Sequence, residues 1–137
     1  MKPAVFVDTA YLVALTNAAD VHHARSQTMG KAWAREKRTF VTTDAGLIEY
    51  ANFFARSPLR ALAASAIPRL RGTRGWTIFA VERALLSRAE HRYAKHGDKS
   101  WSMTDCLSME IMKDASLTAV ATTDMHFAQA GFRPLMR

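Results

Sequence analysis

Ala4-Val5-Phe6-Val7-Asp8-Thr9 is a wholly apolar run closed by a carboxylate, and Ala119-Val120-Ala121-Thr122-Thr123-Asp124 repeats the pattern late in the chain. Continuous apolar runs of this length mark strands buried on both faces, which belong to parallel sheets rather than to half-solvated antiparallel ones. In an open parallel sheet the carboxyl ends of the strands border the ligand crevice. Asp8 and Asp124 both stand at that end.

Working outward, strands and helices alternate. After Asp8 a helix is expected through about Asn17, then one over His22 to Glu36 with Asp20 as its N-cap. Phe40-Val41-Thr42 reads as a second strand, followed by a helix capped by Asp44 that carries Glu49 beside an apolar stripe. Ser57-Pro58 suggests a helix start with proline at the first position, and Pro68 suggests its end. Trp76 to Val81 is β-branched and aromatic, hence a third strand. Glu82 to His96 follows as an amphipathic helix with Ala84, Leu85, Ala89 and Tyr93 inward. Ser102-Met103-Thr104-Asp105 has capping-box spacing, which places Asp105 in the first turn of a helix reaching about Asp114. Thr118 to Thr122 is a fourth strand, Met125 to Ala130 a short helix, and Gly131 to Leu135 a short edge strand where Pro134 is tolerable. The expected fold is a three-layer α/β/α domain over 1–137 with a central parallel sheet of four to five strands, because parallel neighbours need crossovers that cover both faces.

That topology brings four acids from distant positions, Asp8, Glu49, Asp105 and Asp124, to one end of the sheet. Carboxylates gathered in one cleft repel each other and persist when a cation neutralises them; oxygen ligands select Mg²⁺ or Mn²⁺. The net charge of +7 in 137 residues suits a polyanion, and the set implies metal-dependent cleavage of a phosphodiester. From Glu49 to Glu82 no acid intervenes, while Arg56, Arg60, Arg69, Arg71 and Arg74 fall there, a candidate surface for a phosphate backbone or else a solvated basic face.

Other chemistries lack their signatures. No glycine-rich dinucleotide fingerprint, phosphate-binding loop or Gly-x-Ser-x-Gly elbow occurs, and the five histidines have no zinc spacing with Cys106. His126, like the other histidines, reads as a surface or core residue. A lone cysteine inside an apolar helix, no cleavable leader and no membrane-length apolar stretch give the expectation of a cytoplasmic protein away from membranes.

Val7-Asp8-Thr9, Leu47-Ile48-Glu49-Tyr50, Ser102-Met103-Thr104-Asp105-Cys106 and Thr122-Thr123-Asp124-Met125-His126-Phe127, in this order and over essentially the whole chain, resemble the PIN-domain ribonucleases, and among them the VapC-like toxins of bacterial toxin-antitoxin pairs. The resemblance implies a Mg²⁺-dependent endoribonuclease preferring single strands, usually a homodimer and often inhibited by a small protein antitoxin. It implies that Asp8, Glu49, Asp105 and Asp124 hold the metal, with Thr9 and Thr104 supporting them through their hydroxyls. Asp98 adds an acid near the site, although an aspartate beside Gly97 is also an ordinary loop residue. Two alternatives remain. A PIN-like module could bind nucleic acid without catalysis, and a phospho-acceptor signalling domain would share the layers. The second should show paired acids after the first strand and a late lysine, whereas Asp8 is followed by Thr9 and no such lysine occurs.

Overall fold

The computed structural model describes residues 2–136. Strands β1 (Val5–Val7), β2 (Phe40–Thr43), β3 (Trp76–Phe79), β4 (Ala119–Ala121) and β5 (Arg133–Pro134) pair in parallel in the order β3-β2-β1-β4-β5. The chain builds outward from β1 through β2 to β3, then crosses back to β4 and ends at β5. The reversal falls between β1 and β4, where Phe6 pairs with Val120 and Val7 with Ala121. A crevice opens at such a switch point because the crossovers on its two sides leave in opposite directions.

Side-chain alternation along the central strands divides the core. Val5 and Val7 of β1 and Ala121 of β4 face α1 (Thr9–Thr16), α2 (His23–Arg35), α3 (Asp44–Phe53) and α4 (Arg60–Gly72). Phe6, Val41 and Val120 face α5 (Arg83–Lys95), α6 (Met103–Asp114) and α7 (Met125–Gln129). This is the three-layer α/β/α fold with a five-stranded parallel sheet expected from the alternation of elements. Cys106 is free and fully buried, a small core hydrophobe.

Several local expectations are corrected. Asp20 does not cap α2. Its Oδ1 accepts the His22 amide at 2.8 Å in a turn before the helix, and His22 holds the cap position without a side-chain bond. Thr43, not Asp44, caps α3, its Oγ1 accepting the Gly46 amide at 3.1 Å. Asp44 is the first helical residue and is free to pair with Arg71 at 2.7 Å. Ser57-Pro58 forms a turn, and Pro68 lies inside α4 rather than ending it. The carbonyl that a proline leaves without a donor belongs to Ala64, which is solvent-exposed, so water can satisfy it. On α5 only Leu85 and Ala89 are buried, while Ala84 and Tyr93 point outward, Tyr93 at 52% exposure. Their helix packs along α6 by a narrow seam, and the flanks of that seam are basic.

Because Phe6 is 1% exposed at the middle of the central strand, Phe6→Ala should cost about 3–5 kcal/mol, read as a lower urea midpoint with an unchanged slope.

Candidate active site

Each acid reaches the crevice by a different local device. Asp8 follows β1 and its amide donates to the Ala121 carbonyl at 3.2 Å, so the sheet ladder itself seats it. The Asp8 side chain is buried, and Thr122 donates its hydroxyl to Asp8 Oδ2 at 2.7 Å. The same Thr122 oxygen accepts the Asp124 amide at 3.0 Å, tying the ends of β1 and β4 together. Asp124 caps α7, its Oδ1 accepting the His126 amide at 2.9 Å. Asp105 is held by the capping box read from the sequence: its amide donates to Ser102 Oγ and its Oδ2 accepts the Ser102 amide, both at 3.0 Å.

These acids line one cleft of about 460 Å³ together with Glu49, Thr9, Ser102, Thr123, His126, Asp20, His22 and Phe53. The cleft therefore gathers all four acids singled out in the sequence. Thr9 lies beside them, buried, and donates its hydroxyl to the Gly46 carbonyl at 3.2 Å, which ties α1 to α3. Thr104 is not among the lining residues; its carbonyl accepts the Ser108 hydroxyl, and Ser102 and Thr122 provide the hydroxyls that orient the acids. Asp98 also lies outside the cleft, its side chain 71% exposed and paired with Lys99 at 3.4 Å. Arg56, Arg60, Arg69, Arg71 and Arg74 are exposed and none lines the cleft; Arg60 donates to the Ala55 carbonyl at 2.9 Å and Arg71 is engaged by Asp44.

His126 is the residue that sequence reasoning missed. Its Nδ1 lies 2.9 Å from Asp105 Oδ2 and 3.2 Å from Asp124 Oδ2. One ligand atom from each of Asp105, Asp124 and His126 falls within 4.8 Å of the others. With a proton on Nδ1 the imidazole bridges the two carboxylates; with the proton on Nε2 instead, Nδ1 offers its lone pair to a cation. The available signal was its place two residues after an N-cap aspartate, which turns a first-turn side chain back toward the cap.

Burial pushes the Asp8 carboxyl up to about 7; the Thr122 hydrogen bond opposes this, and the charges of Asp105 and Glu49 add to it. A carboxylate this costly to ionise, beside three more and a histidine, is a donor set of hard oxygens with one nitrogen that fits a divalent cation such as Mg²⁺ or Mn²⁺.

The architecture is PIN-like. No family model matches the chain. It is 28% identical over 132 residues to the 23S rRNA-specific endonuclease VapC20 of Mycobacterium tuberculosis, an alignment covering 93% of this chain and 95% of that protein. The crystal structure of that organism's VapC20, a Sarcin-Ricin loop cleaving toxin, superposes with a TM-score of 0.83 at 25% identity, covering 94% of this chain and 96% of the other. FitAcB from Neisseria gonorrhoeae shares the fold at a TM-score of 0.63 and 17% identity, covering 95% and 94%. The resemblance to VapC-like PIN proteins read from the four motifs is thus borne out along nearly the whole chain.

A carboxyl whose folded pKa lies above its unfolded one contributes stability at low pH, and that stability is lost as the pH rises from about 4 through about 7. In metal-free buffer, ionising Asp8 should therefore cost at most about 4 kcal/mol. Asp8→Asn should melt at or above wild type at pH 7.5 and lose this part of the pH dependence, as measured by thermal unfolding in EDTA at pH 4.5 and 7.5. A wild type less stable than the variant at pH 4.5 and equal to it at pH 7.5 would reverse the sign.

Proposed function

We propose that the protein is a metal-dependent endoribonuclease that hydrolyses RNA phosphodiester bonds and acts as the toxin of a toxin-antitoxin pair. The observation that carries the reading is the convergence of Asp8, Glu49, Asp105 and Asp124 on one cleft at the switch point of the sheet, in a chain of net charge +7. The activity of the similar VapC20, an endonuclease specific for 23S rRNA, supports it. No lysine lines the cleft among the described residues, which removes the support a phospho-acceptor domain would need.

In this reading Asp8, Asp105 and Asp124, with Glu49 at the cleft wall and His126 beside them, hold Mg²⁺ or Mn²⁺. Such an ion, when bound, supplies charge neutralisation at the phosphate and activation of water for in-line attack on phosphorus. The chain's own residues set where this happens. Thr122 fixes the rotamer of Asp8 by its 2.7 Å bond and fixes the Asp124 backbone by its second. The Ser102 cap leaves Asp105 little freedom. His126 keeps Asp105 and Asp124 together while protonated on Nδ1 and must shed that proton to the solvent before the nitrogen can ligate.

The partners follow from the resemblance: a small protein antitoxin that restrains the cleft, and a second copy of the chain in a homodimer. The cytoplasm, where such a target RNA lies, is the proposed compartment. No described helix is long and apolar enough to cross a membrane.

Purified protein should cleave RNA with Mg²⁺ or Mn²⁺ and not with EDTA. Asp8→Asn should lower the rate by more than about 100-fold, and Thr122→Val, which removes only an outer hydrogen bond, by about 10- to 100-fold. Full activity of a folded Asp8→Asn protein would sink the site. Tight RNA binding by wild type with no cleavage under any metal would favour the non-catalytic module. Expression without a neighbouring small gene product should arrest growth, and Asp8→Asn should relieve the arrest; a harmless wild type would remove the toxin reading while leaving the nuclease one.

A further inference from the structure

Positive charge is concentrated not only around α4 but also in a second groove, of about 370 Å³, between α5 and α6. It is lined by Arg88, His91, Arg92, Lys95, His96 and Lys113, with Ser87 and Glu110. Along α5, Arg88 and Arg92, His91 and Lys95, and Arg92 and His96 are spaced i,i+4, so basic side chains meet on one helix face. Like pairs at that spacing destabilise a helix unless an anion lies against them.

Two protein acids answer part of this charge. Asp114 takes both terminal nitrogens of Arg88 at 2.8 and 2.6 Å, and Glu110, with its side chain only 10% exposed, takes Arg92 Nε at 2.6 Å. The Glu110 bond orients a guanidinium that is itself only 17% exposed and leaves its terminal N–H groups to other acceptors. Lys95 and His91 are exposed and have no hydrogen bond or ion pair among the described residues. The groove is thus a preset fork flanked by the exposed Lys95 and Lys113, an arrangement that matches a row of phosphate oxygens.

The groove shares helix α6 with the acidic cleft. The pairs Arg88 with Asp114 and Arg92 with Glu110 show that α5 runs antiparallel to α6, so the Lys95 end of α5 approaches the Asp105 end of α6. His96 packs on Trp101 with ring centroids 4.8 Å apart, and Trp101 adjoins Ser102, which caps the helix of Asp105. Lys113 lies eight residues beyond Asp105 on α6, about 12 Å along the axis.

We propose that this α5/α6 groove holds the phosphate backbone of the RNA strand flanking the scissile bond, through Arg92, Lys95 and Lys113. The proposal rests on the ribonuclease reading for the identity of its ligand and assigns to it a contact surface distinct from the α4 arginines.

The test measures binding of a labelled single-stranded RNA to the full chain in EDTA, from 50 to 300 mM salt, beside cleavage assays with Mg²⁺ and Mn²⁺. Lys95→Ala with Lys113→Ala removes two exposed cations and breaks no ion pair, and a thermal melt checks that the fold is retained. Binding should weaken about tenfold or more at 0.1 M salt, with the salt slope falling by about 1 to 1.5. The charge reversal Lys95→Glu should weaken it further. Unchanged affinity and slope in both variants, with wild-type cleavage intact, overturns the groove and leaves the nuclease reading. A slope that falls only when Arg69→Ala and Arg71→Ala are combined overturns it in favour of α4. A reduced slope where even wild type cleaves nothing upholds the groove and removes the nuclease reading instead.

Discussion

The carboxyl of Asp8, buried at the point where the sheet reverses direction, is the constraint around which the site is arranged. Water is largely excluded there, so ionisation is opposed first by desolvation and then by Asp105 and Glu49. The Thr122 hydroxyl is the nearest compensating group, and its two hydrogen bonds join the ends of β1 and β4. Without a cation the fold therefore carries stored repulsion at its centre. In the proposed reading, a bound cation would relieve that repulsion.

Charge in this protein is segregated. Among the described residues that line the crevice with these acids there is no lysine or arginine, only His22 and His126, while lysine and arginine lie on the outer helices. In the proposed reading, a phosphodiester strand would meet repulsion at the acids and attraction around them, the basic surface favouring association and the acidic cleft setting position. The two are coupled through α6, whose first turn holds Asp105 and whose far half contributes Glu110, Lys113 and Asp114 to the ion pairs and groove shared with α5. One rigid helix thus relates the two charges in space.

Local rules succeeded where the chain leaves little competition. The capping box at Ser102 and Asp105 forms as its spacing demands, and Pro134 sits on the edge strand where a missing donor is harmless. They failed where two neighbours could do the same job. Thr43 and Asp44 can each cap α3, and the threonine holds the cap because the last strand residue is already extended. Pro68 reads as a helix end, yet an exposed preceding turn tolerates it.

By itself the sequence determined the order of elements, the parallel sheet and the four acids, because strand burial and helix capping are read from neighbours a few residues apart. Only the tertiary structure decided which partners those acids have. Thr122 meets Asp8 across 114 residues, and His126 turns back to Asp105 across 21. The fate of each arginine was equally hidden, since whether a cation is free or answered by an Asp44, a Glu110 or an Asp114 depends on helices that pack together only in the folded chain.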